Sequence, residues 1–504
     1  MNTVRLNRRS ALALAGFVWL GSRTVGEAQG QSARPPEGAA AEPRQLPGDS
    51  TTHYSLDLPD RRLQFSATAG AIRIPDDKGA PLADMAFIAY QLDGAERRSR
   101  NVTFVFNGGP GFASGWLHVG AVGPWRIPIG GDATAPSASP EPIANSETWL
   151  DFTDLVFIDP AGTGYSRMLG SNDAARRRLW SVDGDIDSLA ETIRRWLDKF
   201  ERGISPKYLL GESYGGFRAP RLARELANSQ GTGVSGLILV SPALDLGGRS
   251  LAFDPFPFVT RLPPMAAAAR AARAPVTRAE LADVERYAAT DYLLDLTRGE
   301  RDQDAIARRS ERVAEYTGLD PVLVRRYHGK IDNNVFLREL DRAHHRVGSA
   351  YDATITGNDP FPLATVSNMP DPAVDALRAP VSSAMVAIYE TRLNWRPDSP
   401  YQLYSAAANR QWDWGRGFGS RPQAVGSMRI ALALDPHFSV LIAHGLFDLV
   451  TPYFATQLLL DQIPAESGGD RVRLEVYPGG HMFYSRDPSR AAFRNAAQAL
   501  FEAH

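Results

Sequence analysis

The chain contains no cysteine among its 504 residues. Disulfides, thiolate metal sites and cysteine nucleophiles are therefore excluded together. It has no charge of one sign to spare either: 55 Lys and Arg against 57 Asp and Glu leave a formal net charge of -2. Without a basic excess there is nothing to neutralise a phosphate backbone, so nucleic acid is not an expected partner. There is no HExxH, and His344 and His345 are adjacent, so they cannot share one helix face as paired metal ligands do. No metal or cofactor is indicated. The only long apolar run, Ala11 to Leu20, is too short to span a bilayer.

That run follows Arg8-Arg9 and precedes the small residues of "VGEAQG". The arrangement reads as a cleavable export signal over residues 1–30, and the arginine pair resembles the bacterial twin-arginine signal. The expected location is periplasmic or secreted, with no stable membrane anchor once the signal is removed. Residues 31–50, "QSARPPEGAAAEPRQLPGDS", read as a disordered leader.

Short β-rich segments begin at His53, Arg62 and Phe87 and read as antiparallel strands. The later segments "VTFVF", "LVFI", "YLL", "GLILV" and "SVLIA" are nearly continuous in apolar residues, as strands buried on both faces must be; "VRLEVY" completes the series. Between them, Ile186, Leu189, Ile193, Trp196 and Leu197 recur at helical spacing, and Ser181 or Asp183 can cap that helix. Strand–helix–strand alternation predicts a doubly wound, mostly parallel α/β sheet. Between Val240 and Ser439 no parallel strand is evident. A βαβ crossover needs only about 30 residues. The surplus predicts an inserted helical cap at 246–425, between core segments 51–245 and 426–504.

One stretch carries chemistry. In "LLGESYGGFRAP" (209–220), Ser213 sits at the centre of G-x-S-x-G, after a short strand and before a plausible helix. Such a turn holds a serine hydroxyl out at a strand end. Serine needs a histidine to take its proton and a carboxylate to orient that histidine, in the chain order Ser, Asp or Glu, His. "HGLFDLVTP" offers Asp448 and "PGGHMFY" offers His481, each on a glycine-containing loop after a strand. His118 precedes the serine, and His444 has a plain reading as a histidine hydrogen-bonded within the Asp448 loop. Oxyanion donors are expected from the backbone N–H of Tyr214 and from the loop "FNGGPGFASG", which lacks the pattern of a phosphate cradle.

Together, "NGGPG" (107–111), "WLDFTDLVFIDPAGTGYS" (149–166), "GESYGG" (211–216), "GLFDLVTP" (445–452) and "GGHM" (479–482) resemble the serine carboxypeptidase family, peptidase family S10. The resemblance implies an α/β-hydrolase core with a helical insertion before the acid. It implies Ser213 as nucleophile, Asp448 as orienting acid and His481 as general base, and Gly109 and Tyr214 as oxyanion donors. Asn107 and Glu212 match the residues that bind the substrate's C-terminal carboxylate, so the implied partner is a peptide with a free C-terminus. The sequence also departs from the family. Ala121 stands where much of the family has a glutamate, Phe112 stands in place of a cysteine, and "DP" at 159–160 replaces "DQP". The missing acid keeps open an esterase or acyltransferase using the same triad. A binding protein without activity on the same scaffold is a third reading, opposed by the complete Ser, Asp and His set.

Overall fold

The computed structural model of the chain describes residues 46–129, 141–169, 172–246, 253–364, 369–415, 422–465 and 468–502. The expected signal segment 1–30 lies outside the described residues. The last residues of the expected leader do not fit that expectation. Trp395 Nε1 donates to the Gly48 carbonyl at 3.0 Å, and Ser50 already begins a strand. Leu46 packs against the core. An apolar side chain and a buried indole donor hold this stretch to the folded body.

The sheet uses nine main strands: β1 Ser50–Asp57, β2 Arg62–Pro75, β3 Pro81–Leu92, β4 Val102–Phe106, β5 Asp154–Ile158, β6 Lys207–Glu212, β7 Gly236–Val240, β8 Ser439–Gly445 and β9 Val472–Tyr477. Their order is β1-β2-β3-β5-β4-β6-β7-β8-β9, with a two-residue strand, Arg167–Met168, also paired to β3. β1, β2 and β3 pair antiparallel, as does β3 with β5; every pair from β5 to β9 is parallel. Every residue of β4, β5, β6 and β7 is buried, which is why those segments read as unbroken apolar runs. β1, at the edge, alternates between half-buried and exposed residues.

Helix α1, Val182–Lys199, and α2, Tyr214–Ser229, cover one face of the sheet with Ile186, Leu189, Trp196, Phe217 and Leu222. Ser181 caps α1 by accepting from the Gly184 amide, the first of the two caps expected. The other face is covered by the C-terminal helix Asp487–Glu502 and by residues 374–403. A mostly parallel sheet, helices on both faces and a sharp strand–serine–helix turn make the α/β-hydrolase fold. No helix among the described residues is long and apolar enough to cross a membrane.

Between β7 and β8 the chain is mainly helical, with a small hairpin of Arg346–Gly348 against Thr356–Asn358. Its two halves pack differently. Val259, Leu262, Met265, Val313 and Phe336 form a cluster with Leu446, Phe447 and Phe454. Val374, Val381, Tyr389, Trp395 and Leu403 instead join the cluster beneath the sheet.

Candidate active site

β4 and β6 are neighbours, yet the chain leaves β4 toward β5 on one side and continues from β6 to β7 on the other. Crevices outside the carboxyl ends of strands at such a switch point are where open α/β sheets bind ligands. The loop Asn107–Gly111 leaves the end of β4, and Ser213 leaves the end of β6.

Ser213 has φ of 60° and ψ of -119°, in the left-handed half of backbone space. For a non-glycine residue that conformation costs of order 1–3 kcal/mol. Backbone bonds hold it there. Its N–H donates to the Val240 carbonyl at 2.9 Å, and its carbonyl accepts from Gly216 and Ala243 at 2.9 and 3.1 Å. The turn is tight enough that a Cβ on Gly211 would lie 2.1 Å from the Gly215 carbonyl oxygen. A Cβ on Gly108 would lie 2.4 Å from the Tyr214 amide nitrogen, so the two predicted oxyanion elements are in direct backbone contact.

His481 Nδ1 lies 2.7 Å from Asp448 Oδ2, and both side chains are buried. A carboxylate only accepts, so in the neutral ring the proton sits on Nδ1 and Nε2 keeps its lone pair. Asp448 is itself oriented, with Oδ1 accepting from the Val450 and Thr451 amides at 2.8 and 3.1 Å. The Thr451 hydroxyl lies 2.8 Å from Asp448 Oδ2 and 2.9 Å from the Ser241 carbonyl. Ser241 Oγ in turn donates to the His481 carbonyl at 2.8 Å. Burial pushes the His481 imidazole down, but the charge and hydrogen bond of Asp448, with Glu212, outweigh it, and the net shift is upward. No hydrogen bond joins Ser213 Oγ to His481 among the described contacts; such bonds are often loose before substrate arrives.

Asn107 and Glu212 also meet. Asn107 Nδ2 donates to Glu212 Oε2 at 2.7 Å, and Asn107 Oδ1 accepts from the Leu117 amide. Burial raises the Glu212 carboxyl to about 7, against the pull of His481 and of the donors Tyr484 and Asn107. Ala121 is buried and brings no second carboxyl.

His118 and His444 take structural parts. His118 is stacked on Phe157 with ring centroids 4.2 Å apart, and its Nε2 meets the Tyr90 hydroxyl at 2.8 Å. Burial lowers it to about 3. His444 belongs to β8 and bonds Thr456 in the following helix at 2.9 Å, so its partner lies beyond the loop assigned from sequence. Burial lowers it to about 4.

Sequence reasoning missed Thr451, Ser241, Tyr484 and Arg218. Only Arg218 left a local signal, as a charged residue on the buried stripe of α2. Its guanidinium pairs with Asp185 of α1 at 2.7 Å, donates to the Asn107 carbonyl at 2.6 Å and lies 5.0 Å over the Tyr214 ring. It ties the underside of the nucleophile turn to the loop after β4. The Phe112 and Tyr404 rings meet at a tilt, centroids 4.6 Å apart, and Ala113 N donates to the Leu403 carbonyl at 3.0 Å. These contacts fasten the glycine loop to the insertion in a chain without cysteine.

Residues 60–248 match the family model for serine carboxypeptidases. Over that stretch the chain is similar to the serine carboxypeptidase family. Over 190 residues it is 28% identical to the pheromone-processing carboxypeptidase KEX1 of Phaeosphaeria nodorum, covering 35% of this chain and 27% of that protein. It is 32% identical over 138 residues to serine carboxypeptidase-like 25 of Arabidopsis thaliana, covering 26% of each. The chain thus spans about a quarter of the length of the curated relatives it matches. Among solved structures, a soluble variant of the monoglyceride lipase from Saccharomyces cerevisiae superposes with a TM-score of 0.38 at 11% identity, over 92% of this chain and 98% of that one.

Proposed function

We propose that the chain is an exported serine carboxypeptidase that releases C-terminal residues from peptides through an acyl-enzyme on Ser213. The observation that carries this reading is the buried His481–Asp448 pair at 2.7 Å beside a serine held in a strained turn at the switch point of the sheet. Ser213 Oγ attacks the last peptide carbonyl, and His481 Nε2 takes its proton. The oxyanion is held by the N–H groups of Gly109 and Tyr214. His481 then hands the proton to the leaving amine, and water activated by the same nitrogen frees the shortened peptide. Asn107 and Glu212 receive the terminal carboxylate. With Glu212 raised to about 7, its protonated form persists through mildly acid pH and meets that carboxylate without repulsion. Export, and the division into a core at 51–245 and 426–504 around a cap at 246–425, belong to the same reading.

A second reading is favoured by Ala121. Without a second carboxyl to share a proton with Glu212, the same triad would serve an esterase or acyltransferase whose substrates lack a free carboxylate. The test is hydrolysis of matched peptides ending in a free acid or an amide, from about pH 4 to about pH 8, with Ser213→Ala as control. Loss of single residues from the free-acid set, abolished in the variant, is the expected result. Equal or faster turnover of the amide set at every pH would transfer the assignment to the second reading.

A further inference from the structure

Glu212 is gripped by one oxygen only. Oε2 accepts from Asn107 Nδ2 at 2.7 Å and from the Tyr484 hydroxyl at 2.8 Å, while Oε1 takes no hydrogen bond from the described residues. An oxygen that accepts two hydrogen bonds is a poor site for a proton, so a protonated Glu212 carries its hydrogen on Oε1. Tyr484 is well placed to enforce this. It is buried, its ring lies against Gly120, and its carbonyl accepts from Arg490 Nη1 at 3.1 Å. It stands in the same short loop as His481, while the neighbouring Ala121 offers no side chain that could reach a carboxyl.

We propose that Tyr484 is a specificity-determining residue of this site: with Asn107 it pins Glu212 by Oε2, so that the Oε1–H is presented to the terminal carboxylate of the substrate. This rests on the carboxypeptidase reading and deepens it. A neutral phenol thereby takes over the positioning that a second acid would supply, and substrate selection depends on one proton on one carboxyl. The charged groups that act on Glu212 are His481, which favours its ionised form, and Asp448, which opposes it; Asn107 and Tyr484 are neutral donors that favour the ionised form. Burial pushes the Tyr484 phenol far above its ordinary range, so it stays a donor throughout.

Two readouts follow. In the unaltered protein, preference for free-acid over amide peptides fails as pH rises through about 7, where Glu212 ionises and repels the substrate's carboxylate. In Tyr484→Phe, the ratio of kcat/KM for free-acid over amide peptides falls about fivefold at acid pH, the effect of one lost hydrogen bond. The midpoint moves upward, because a donor that stabilised the ionised carboxylate is gone. A structural role alone would not move that midpoint, and since both substrates are measured on one preparation, partial unfolding cancels from the ratio. If the unaltered protein discriminates but the variant keeps both ratio and midpoint, the role of Tyr484 is overturned and the carboxypeptidase reading stands. If the unaltered protein never prefers the free acid, both are overturned.

Discussion

The turn around Ser213 and the helical stretch from Val259 to Ala353 are held together by different means. The first is held by backbone against backbone and by charge. Gly108 lies on the Tyr214 amide, Gly211 on the Gly215 carbonyl, and the fully buried Arg218–Asp185 pair fastens the loop above. The second is held mainly by an apolar cluster of Leu262, Met265, Val313 and Phe336; pairs such as Arg312–Glu315 lie at the surface, and one buried cation, Arg309, donates to the Asp295 and His328 carbonyls. Backbone contacts have almost no tolerance, whereas apolar clusters accept many sequences of similar volume. The Ser213 region therefore constrains its residues by identity, and the insertion constrains them by size and polarity.

The insertion nonetheless reaches the Asp448–His481 pair. The Tyr351 carbonyl accepts from the His481 amide at 2.5 Å, the Tyr351 and His481 rings meet edge to face at 5.3 Å, and Asp352 pairs with Arg486 at 2.8 Å. Leu446, Phe447 and Leu449, which flank Asp448, are members of the insertion's own apolar cluster. A tolerant region thus braces two residues that are not tolerant.

This contrast can be broken at three points. The largest effect is expected from Asp448→Asn, which leaves the shape but reverses the hydrogen-bonding demand on His481 Nδ1. We expect kcat to fall about 10⁴-fold, with little change in melting temperature, measured by peptide hydrolysis and thermal unfolding. Next comes Arg218→Met. Burial already pushes the Asp185 carboxyl up despite Arg218, and removing the cation strands it. A loss of about 3–5 kcal/mol is expected in a denaturant titration, largely recovered when Asp185→Leu is added. A single variant as stable as the double would show that the pair is not what holds the loop. The smallest is Leu262→Ala in the insertion, expected to cost about 2–5 kcal/mol toward the low end, because neighbouring apolar side chains can close in. Its kcat should fall less than twofold. A larger fall would mean that the bracing of His481 through Tyr351 depends on the packing of the whole cluster.

Particular residues show why parts of this protein were legible. Ser213 could be read because a strained turn at a strand end leaves no choice but glycine at Gly211 and Gly215. Asp448 and His481 could be read because strand, loop and chain order restrict the candidates. The buried strands showed as apolar runs for the same reason, since nothing polar can be paired there on either face. Tyr484, Thr451 and Ser241 were not legible. Each acts through one hydroxyl whose partner is distant in the chain, and a lone tyrosine, threonine or serine in a loop carries no periodicity or spacing to betray it. The order at residues 46–50 was missed because a Pro- and Gly-containing stretch was read by composition, while its partners, Trp395 and Leu393, lie far along the chain.

By itself the sequence determined the run of strands, the tight turn around Ser213 and the candidates Ser213, Asp448 and His481, because local backbone geometry and full burial admit few residue types. Only the tertiary structure decided which oxygen of Glu212 is held, what lies beneath the Asn107 loop, and how the insertion divides between its own cluster and the sheet. Those outcomes depend on contacts between residues far apart in the chain, whose chemistry is ordinary until folding brings them within hydrogen-bond distance.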